Sequence, residues 1–174
     1  MAISDDFAAY DTVGLATLVR DRKSSARELV ESALAQIEAQ NPKLNAVVAR
    51  FDETALKAAD AIDRRASGLP PAPFAGVPFL LKDLLATCAD TATTESCRLL
   101  VDRVSATDSE IVARYRRAGL IFIGKTNTPE FGILPVTQSR LRGPARNPWN
   151  LAFNAGGSSG GAAAAVAAGM VPAA

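Results

Sequence analysis

An α/β fold is what this sequence predicts, and three consecutive segments carry the prediction. Residues 77–86 are a nearly unbroken apolar run, which reads as a central strand buried on both faces. Residues 108–118 follow as a helix, with Asp108 able to cap its start and Gly119 to stop its end. Leu120-Ile121-Phe122-Ile123 is a second apolar run and a second buried strand. Strand, helix and strand in that order argue a parallel crossover. At 174 residues the chain is in the range of one domain and long enough to bury a core.

Upstream of the first strand the pattern is helical. Ser25-Ala26-Arg27-Glu28 has the form of a capping box, in which serine and glutamate side chains satisfy each other's backbone N–H groups. Leu29, Val30, Ala33, Leu34 and Ile37 then recur at helical spacing and give one apolar face, until Asn41-Pro42 ends the run. A short strand is expected at residues 44–51, and Asp52 is placed to cap a second amphipathic helix reaching about Ala66. Gly68 and Pro70-Pro71-Ala72-Pro73 make a turn and a break. Charged amphipathic helices before such a break suggest a peripheral layer over about residues 1–68, with residues 74–174 starting the core of one domain.

Downstream, residues 135–154 read as a loop containing proline and arginine. Residues 160–170 read as an Ala-rich helix whose small side chains allow close packing on a sheet. Residues 162–174 are almost entirely apolar and finish without a cap or a charge. This reads as a chain truncated inside a buried element, because element ends must find partners. A frayed, exposed Ala-rich tail is the alternative.

Composition narrows the function classes. A chain that is 48% hydrophobic and 21% charged fits a folded globular protein and excludes a disordered one. Basic and acidic residues balance at 19 against 18, and no basic stripe is present, so no nucleic-acid partner is expected. Met1-Ala2-Ile3-Ser4-Asp5-Asp6 lacks the charged and apolar regions of a signal peptide, and no apolar run reaches the roughly 18 residues of a membrane span. Cys88 and Cys97 match neither a CxxC nor a zinc spacing and read as reduced structural thiols of a cytoplasmic protein. The sequence has no histidine. A Ser-His-Asp or Cys-His relay cannot be completed within it, so proton transfer must use Lys, Asp, Glu or Tyr.

Two places carry candidate chemistry. Lys82 stands in Phe79-Leu80-Leu81-Lys82-Asp83-Leu84-Leu85, an ammonium group within a buried strand. Desolvation disfavours its charged form, which is how a lysine becomes a usable general base. A lysine at a strand end reaching solvent is the other reading, and position alone does not separate the two. Asp83 is its neighbour on a strand and points to the opposite face, which disfavours a simple ion pair. Gly156-Gly157-Ser158-Ser159-Gly160-Gly161 places two hydroxyls between glycine pairs just before a helix N-terminus. A flexible Gly/Ser linker is the bland alternative there.

A third string misleads. Residues 119–126, Gly-Leu-Ile-Phe-Ile-Gly-Lys-Thr, satisfy the phosphate-loop pattern G-x-x-x-x-G-K-[ST]. A phosphate cradle needs an exposed flexible loop followed by a helix. Here the variable positions are a buried strand, so nucleotide binding is not expected.

Gly76-Val77-Pro78-Phe79-Leu80-Leu81-Lys82-Asp83, Gly124-Lys125-Thr126-Asn127-Thr128-Pro129-Glu130-Phe131-Gly132, Arg146-Asn147-Pro148-Trp149 and the Gly156-to-Gly161 segment occur in that order. Together they resemble the amidase-signature family, over the chain from about Leu15 onward. The wording is similar to bacterial amidases of the kind that includes 6-aminohexanoate-cyclic-dimer hydrolases. The resemblance implies the α/β amidase-signature fold, a mixed sheet covered by helices, of which this chain is the N-terminal part. It also implies an amidase that hydrolyses a small-molecule amide through an acyl-enzyme, with no metal or cofactor. Lys82 matches the family's base and Ser158 its bridging serine, preceded by a cis peptide bond after Gly157. The nucleophilic serine lies further along in this family, in a Gly-Gly-Ser segment that also forms the oxyanion hole. No such segment follows Ser158 here. The chain is therefore expected to lack nucleophile and oxyanion hole and to be inactive alone.

The sequence also departs from the family's pattern. Ser96 and Asp90 stand at positions usually held by glycine, and Cys97 at one usually held by serine. The rival to an enzyme is a noncatalytic fragment or interaction subunit that keeps the fold's first elements.

Overall fold

The structure is a computed structural model, and it describes residues 7–64 and 72–174. The turn expected at Gly68 and Pro70-Pro71, and the expected helix end near Ala66, lie outside the described residues.

Helix α1 (Thr12–Arg20), which the sequence reading did not assign, is capped by Asp11, whose carboxylate accepts the Gly14 N–H at 2.7 Å. Helix α2 (Ala26–Leu44) starts with the expected capping box: Ser25 Oγ accepts the Glu28 N–H at 3.1 Å, and Glu28 accepts the Ser25 N–H at 2.8 Å. Its stripe of Leu29, Val30, Ala33, Leu34 and Ile37 is buried in the main core. Burial of each larger member stabilises the fold by about 1.5–3 kcal/mol. The helix does not stop at Asn41-Pro42 but runs on through Leu44. Asn45, in left-handed backbone, ends it and donates its N–H to Asn41 O at 2.8 Å.

Strand β1 is Val47–Arg50, shorter than expected at both ends. Helix α3 (Asp52–Asp63) begins without a side-chain cap. Asp52 is its first residue, and its carboxylate pairs with Arg50 Nη2 at 2.6 Å instead of capping. Asp63 at the far end accepts the Ala26 and Arg27 N–H groups at 2.8 and 3.1 Å, which ties α3 to the start of α2.

Strand β2 (Pro78–Lys82), helix α4 (Glu110–Arg117) and strand β3 (Ile121–Thr126) form the expected parallel crossover. The sheet order is β1-β3-β2, with β1 antiparallel to β3. The central strand is therefore β3, whereas the sequence reading put β2 at the centre. Apolar residues of β2 are buried all the same, because helices cover both faces. Leu80, Ile121 and Ile123 pack with α2, and Phe79, Leu81 and Phe122 pack with Val112 of α4. The strand ends at Lys82, before the expected Ala86, because Asp83 bonds into the following loop and Leu85 turns in left-handed backbone. Asp108 does not cap α4. Its carboxylate accepts the Ala89 N–H and the Arg116 guanidinium, both at 2.8 Å, and Ser109 takes the cap position. Gly119 follows the helix at φ +92°.

Residues 135–154, expected as loop, hold two small antiparallel pairs: β4 (Gln138–Ser139) with β5 (Gly143–Pro144), and β6 (Arg146–Asn147) with β7 (Asn150–Asn154). Helix α5 (Gly160–Ala167) stops before the expected Met170, where Gly169 has φ +69°. Met170 and Val171 then pack into the main core. No helix among the described residues is long and apolar enough to cross a membrane. Cys88 and Cys97 are both buried free thiols.

Candidate active site

Lys82 is the last residue of β2, and Ser158 lies in the short turn that leads from β7 into α5. The fold brings them together: Lys82 Nζ donates to Ser158 Oγ at 2.8 Å and to Ser159 Oγ at 3.1 Å. Ser159 is the second of the two hydroxyls of the Gly-Ser run, and the sequence assigned it no role of its own. Lys82 is half-buried at the strand end, so neither extreme of the two sequence readings applies. Burial alone pushes its ammonium below the ordinary lysine value.

The turn that presents Ser158 is built from contacts that a larger residue would disturb. The Gly157–Ser158 peptide bond is cis. A Cβ on Gly157 would come within 3.0 Å of the Val136 backbone. A Cβ on Gly161 would lie 2.4 Å from Asn127 N and 2.7 Å from Ala46 O, so only glycine lets α5 start this close to β3. Gly161 donates its N–H to Asn127 O at 3.2 Å, and Gly160 donates to Thr137 Oγ1 at 3.0 Å. Thr128 Oγ1 donates to the Ser158 carbonyl at 3.1 Å.

Asp83 faces away from Lys82, as strand alternation requires. Its buried carboxylate accepts the Thr94 N–H at 2.9 Å and the Thr94 hydroxyl at 2.5 Å. On that same side lies Lys125, fully buried, which donates to Ala92 O at 2.5 Å and Thr93 Oγ1 at 2.6 Å. Burial lowers its pKa, partly offset by the charge of Asp83. In the sequence Lys125 stands both in the phosphate-loop string and in the block from Gly124 to Gly132 that carries the family resemblance, and neither gives it a role of its own. The missed signal was a charged residue continuing a buried strand.

The glycines of that string serve packing. A Cβ on Gly124 would stand 2.2 Å from Ala49 O, which only glycine avoids as β1 pairs with β3. Ser96 and Asp90, which the resemblance sets at glycine positions, hold φ of +52° and +60°, backbone that glycine favours. Cys97 is buried and donates its N–H to Thr94 O at 2.8 Å. A cavity of about 1850 Å³ is lined in part by Arg50, Asp83, Thr94, Arg116 and Phe122, and neither Lys82 nor Ser158 is among the residues that line it. Among the described residues no group of three or more His, Cys, Asp or Glu side chains is placed to hold a metal ion.

Comparison with known proteins decides the family. The family described as amidase matches residues 28–174. The chain belongs to the amidase-signature family. Among amidase-signature relatives, the 6-aminohexanoate-cyclic-dimer hydrolase of Paenarthrobacter ureafaciens is 42% identical over 166 residues, 94% of this chain and 32% of the relative. The acylamidase of Rhodococcus erythropolis is 41% identical over 162 residues, 92% of this chain and 34% of the relative. A crystal structure of a bacterial aryl acylamidase of the same family superposes with a TM-score of 0.88 at 40% identity, covering 93% of this chain and 34% of that one. The α/β amidase-signature fold is thus this chain's fold, and the chain spans about a third of the length of the relatives it matches.

Proposed function

We propose that this chain carries the base and the bridging serine of an amidase that hydrolyses a carboxylic amide C–N bond. The observation that supports this most is the 2.8 Å contact between Lys82 Nζ and Ser158 Oγ, made by a lysine whose pKa burial has lowered. Neutral Lys82 takes the Ser158 proton, while Ser158 takes the proton of a nucleophilic serine outside these 174 residues. That serine's oxygen attacks the amide carbon, the C–N bond breaks, and the departing amine receives the proton back from Lys82 through Ser158. Water then hydrolyses the acyl ester by the same relay. No step in this scheme calls for a metal, a cofactor or a histidine. The names of the relatives suggest small-molecule amides as the substrate class. Residues 74–174 belong, in this reading, to the catalytic core and about 1–68 to its outer layer.

The test compares this chain with the complete reading frame that contains it, on simple aryl and alkyl amides. The complete protein should turn over and the 174-residue chain should not. Lys82→Ala in the complete protein should lower kcat by about 10²–10⁴-fold, the usual weight of a general base. Turnover that survives Lys82→Ala would sink the assignment. Amine release by the 174-residue chain, abolished by Ser158→Ala, would make Ser158 itself the nucleophile. A complete protein that hydrolyses no amide would favour the rival, an interaction subunit without chemistry.

A further inference from the structure

Ser96 occupies left-handed backbone, a conformation that disfavours any residue with a Cβ. It is nevertheless a serine, only 2% exposed, and its hydroxyl is engaged: Oγ donates to the Thr128 carbonyl at 2.6 Å. Thr128, itself fully buried, donates its own hydroxyl to the Ser158 carbonyl at 3.1 Å. In the other direction, the Ser96 N–H donates to Thr94 Oγ1 at 3.2 Å, and Thr94 Oγ1 donates to Asp83 Oδ2 at 2.5 Å. Asp83 follows Lys82 in the chain, and Lys82 Nζ meets Ser158 Oγ at 2.8 Å. These contacts close a ring: Lys82, Asp83, Thr94, Ser96, Thr128, Ser158. Each member between Asp83 and Thr128 is shut off from water, where hydrogen bonds constrain geometry most.

Resting on the amidase reading above, we infer that Ser96 is a positioning residue for the Lys82–Ser158 pair. Its hydroxyl fixes the Thr128 main chain, and the Thr128 hydroxyl then fixes the Ser158 carbonyl, so that Ser158 Oγ faces Lys82. Glycine at this position would relax the backbone but leave the buried Thr128 carbonyl without this donor. The ring would be open at its midpoint, and the orientation of Ser158 would depend on its own turn alone.

Ser96→Gly and Ser96→Ala, made in the complete reading frame, separate hydroxyl from backbone. Glycine suits the left-handed conformation, so this variant stays folded, which a thermal melt checks. Both variants should lose about 3- to 10-fold in kcat with KM within about twofold, short of the roughly 10²-fold that a 1 Å misplacement costs. A crystal structure of the Ser96→Gly variant should show the Thr128 hydroxyl off the Ser158 carbonyl and the Lys82–Ser158 contact lengthened. The inference is overturned if kcat of both folded variants stays within twofold of the parent, or if only one of them is impaired. Should Ser96→Ala fail to fold, the glycine variant alone decides. Lys82→Ala and Ser158→Ala run alongside: if they keep full turnover, the amidase reading fails. Ser96 is then judged by the crystal structure, where an unmoved Ser158 overturns it.

Discussion

A lysine that takes a proton must be neutral when it does so, and Lys82 is poised in that direction by burial. In the complete protein, kcat/KM should therefore rise with pH along a limb lying below the ordinary lysine value of about 10.4. A pH–rate profile checks this, and a limb at or above that value would contradict it. Lys82→Arg keeps a permanent charge at the same place and should be as inactive as the alanine variant. The stability linkage has a definite sign. A folded pKa below the unfolded one means that the unfolded chain binds more protons between the two values, so stability rises with pH across that window. Lys82→Met should remove part of this rise in thermal melts above neutral pH. Lys125 has the same sign but a different task. Its ammonium satisfies the Ala92 carbonyl and Thr93 Oγ1 inside the fold. Lys125→Met leaves that carbonyl unpaired and should cost about 1–3 kcal/mol in urea unfolding. An unchanged midpoint would mean that the two bonds only offset the cost of burying the charge.

At the scale of elements, the seat of α5 decides where Ser158 stands. Gly161→Ala drives a Cβ into the Asn127 backbone and the Ala46 carbonyl, and overpacking of this kind costs about 1–3 kcal/mol. We expect a lower unfolding midpoint and, in the complete protein, reduced kcat, because the helix start moves with the serine. Gly156→Ala meets nothing within 4 Å, yet its φ of +83° makes it a test of backbone strain alone. Local signals were what the sequence displayed well. The capping box at Ser25 and the stripe from Leu29 to Ile37 need only their own helix to be recognised, and both are present. The expected caps at Asp52 and Asp108 were undone by partners distant in sequence or outside the cap pattern, Arg50 in one case, Ala89 and Arg116 in the other. Strands of two residues, such as β4 and β5, are too short to show any alternation. The meeting of Lys82 with Ser158, 76 positions apart, came from family resemblance and not from spacing. The partners of Lys125, at residues 92 and 93, lie 33 and 32 positions away and leave no local pattern.

Across the molecule as a whole, several large apolar side chains face solvent: Trp149 is 80% exposed, Ile133 77% and Phe153, on β7, 62%. Exposed apolar patches favour association. The 174-residue chain should therefore bind a hydrophobic dye and self-associate as concentration rises, read by fluorescence and size-exclusion chromatography. A dye-silent monomer would show these side chains to be isolated on the surface. The two lysines beside the sheet add a different consequence, for chemical labelling. Acylating reagents react with free amines, so Lys82, half-buried with a lowered pKa, should label early at neutral pH. Lys125 is closed off entirely and should resist acylation until the sheet itself opens. Mass spectrometry of the two sites over time would then act as a paired clock, one hand timing access to the site and the other the opening of the fold.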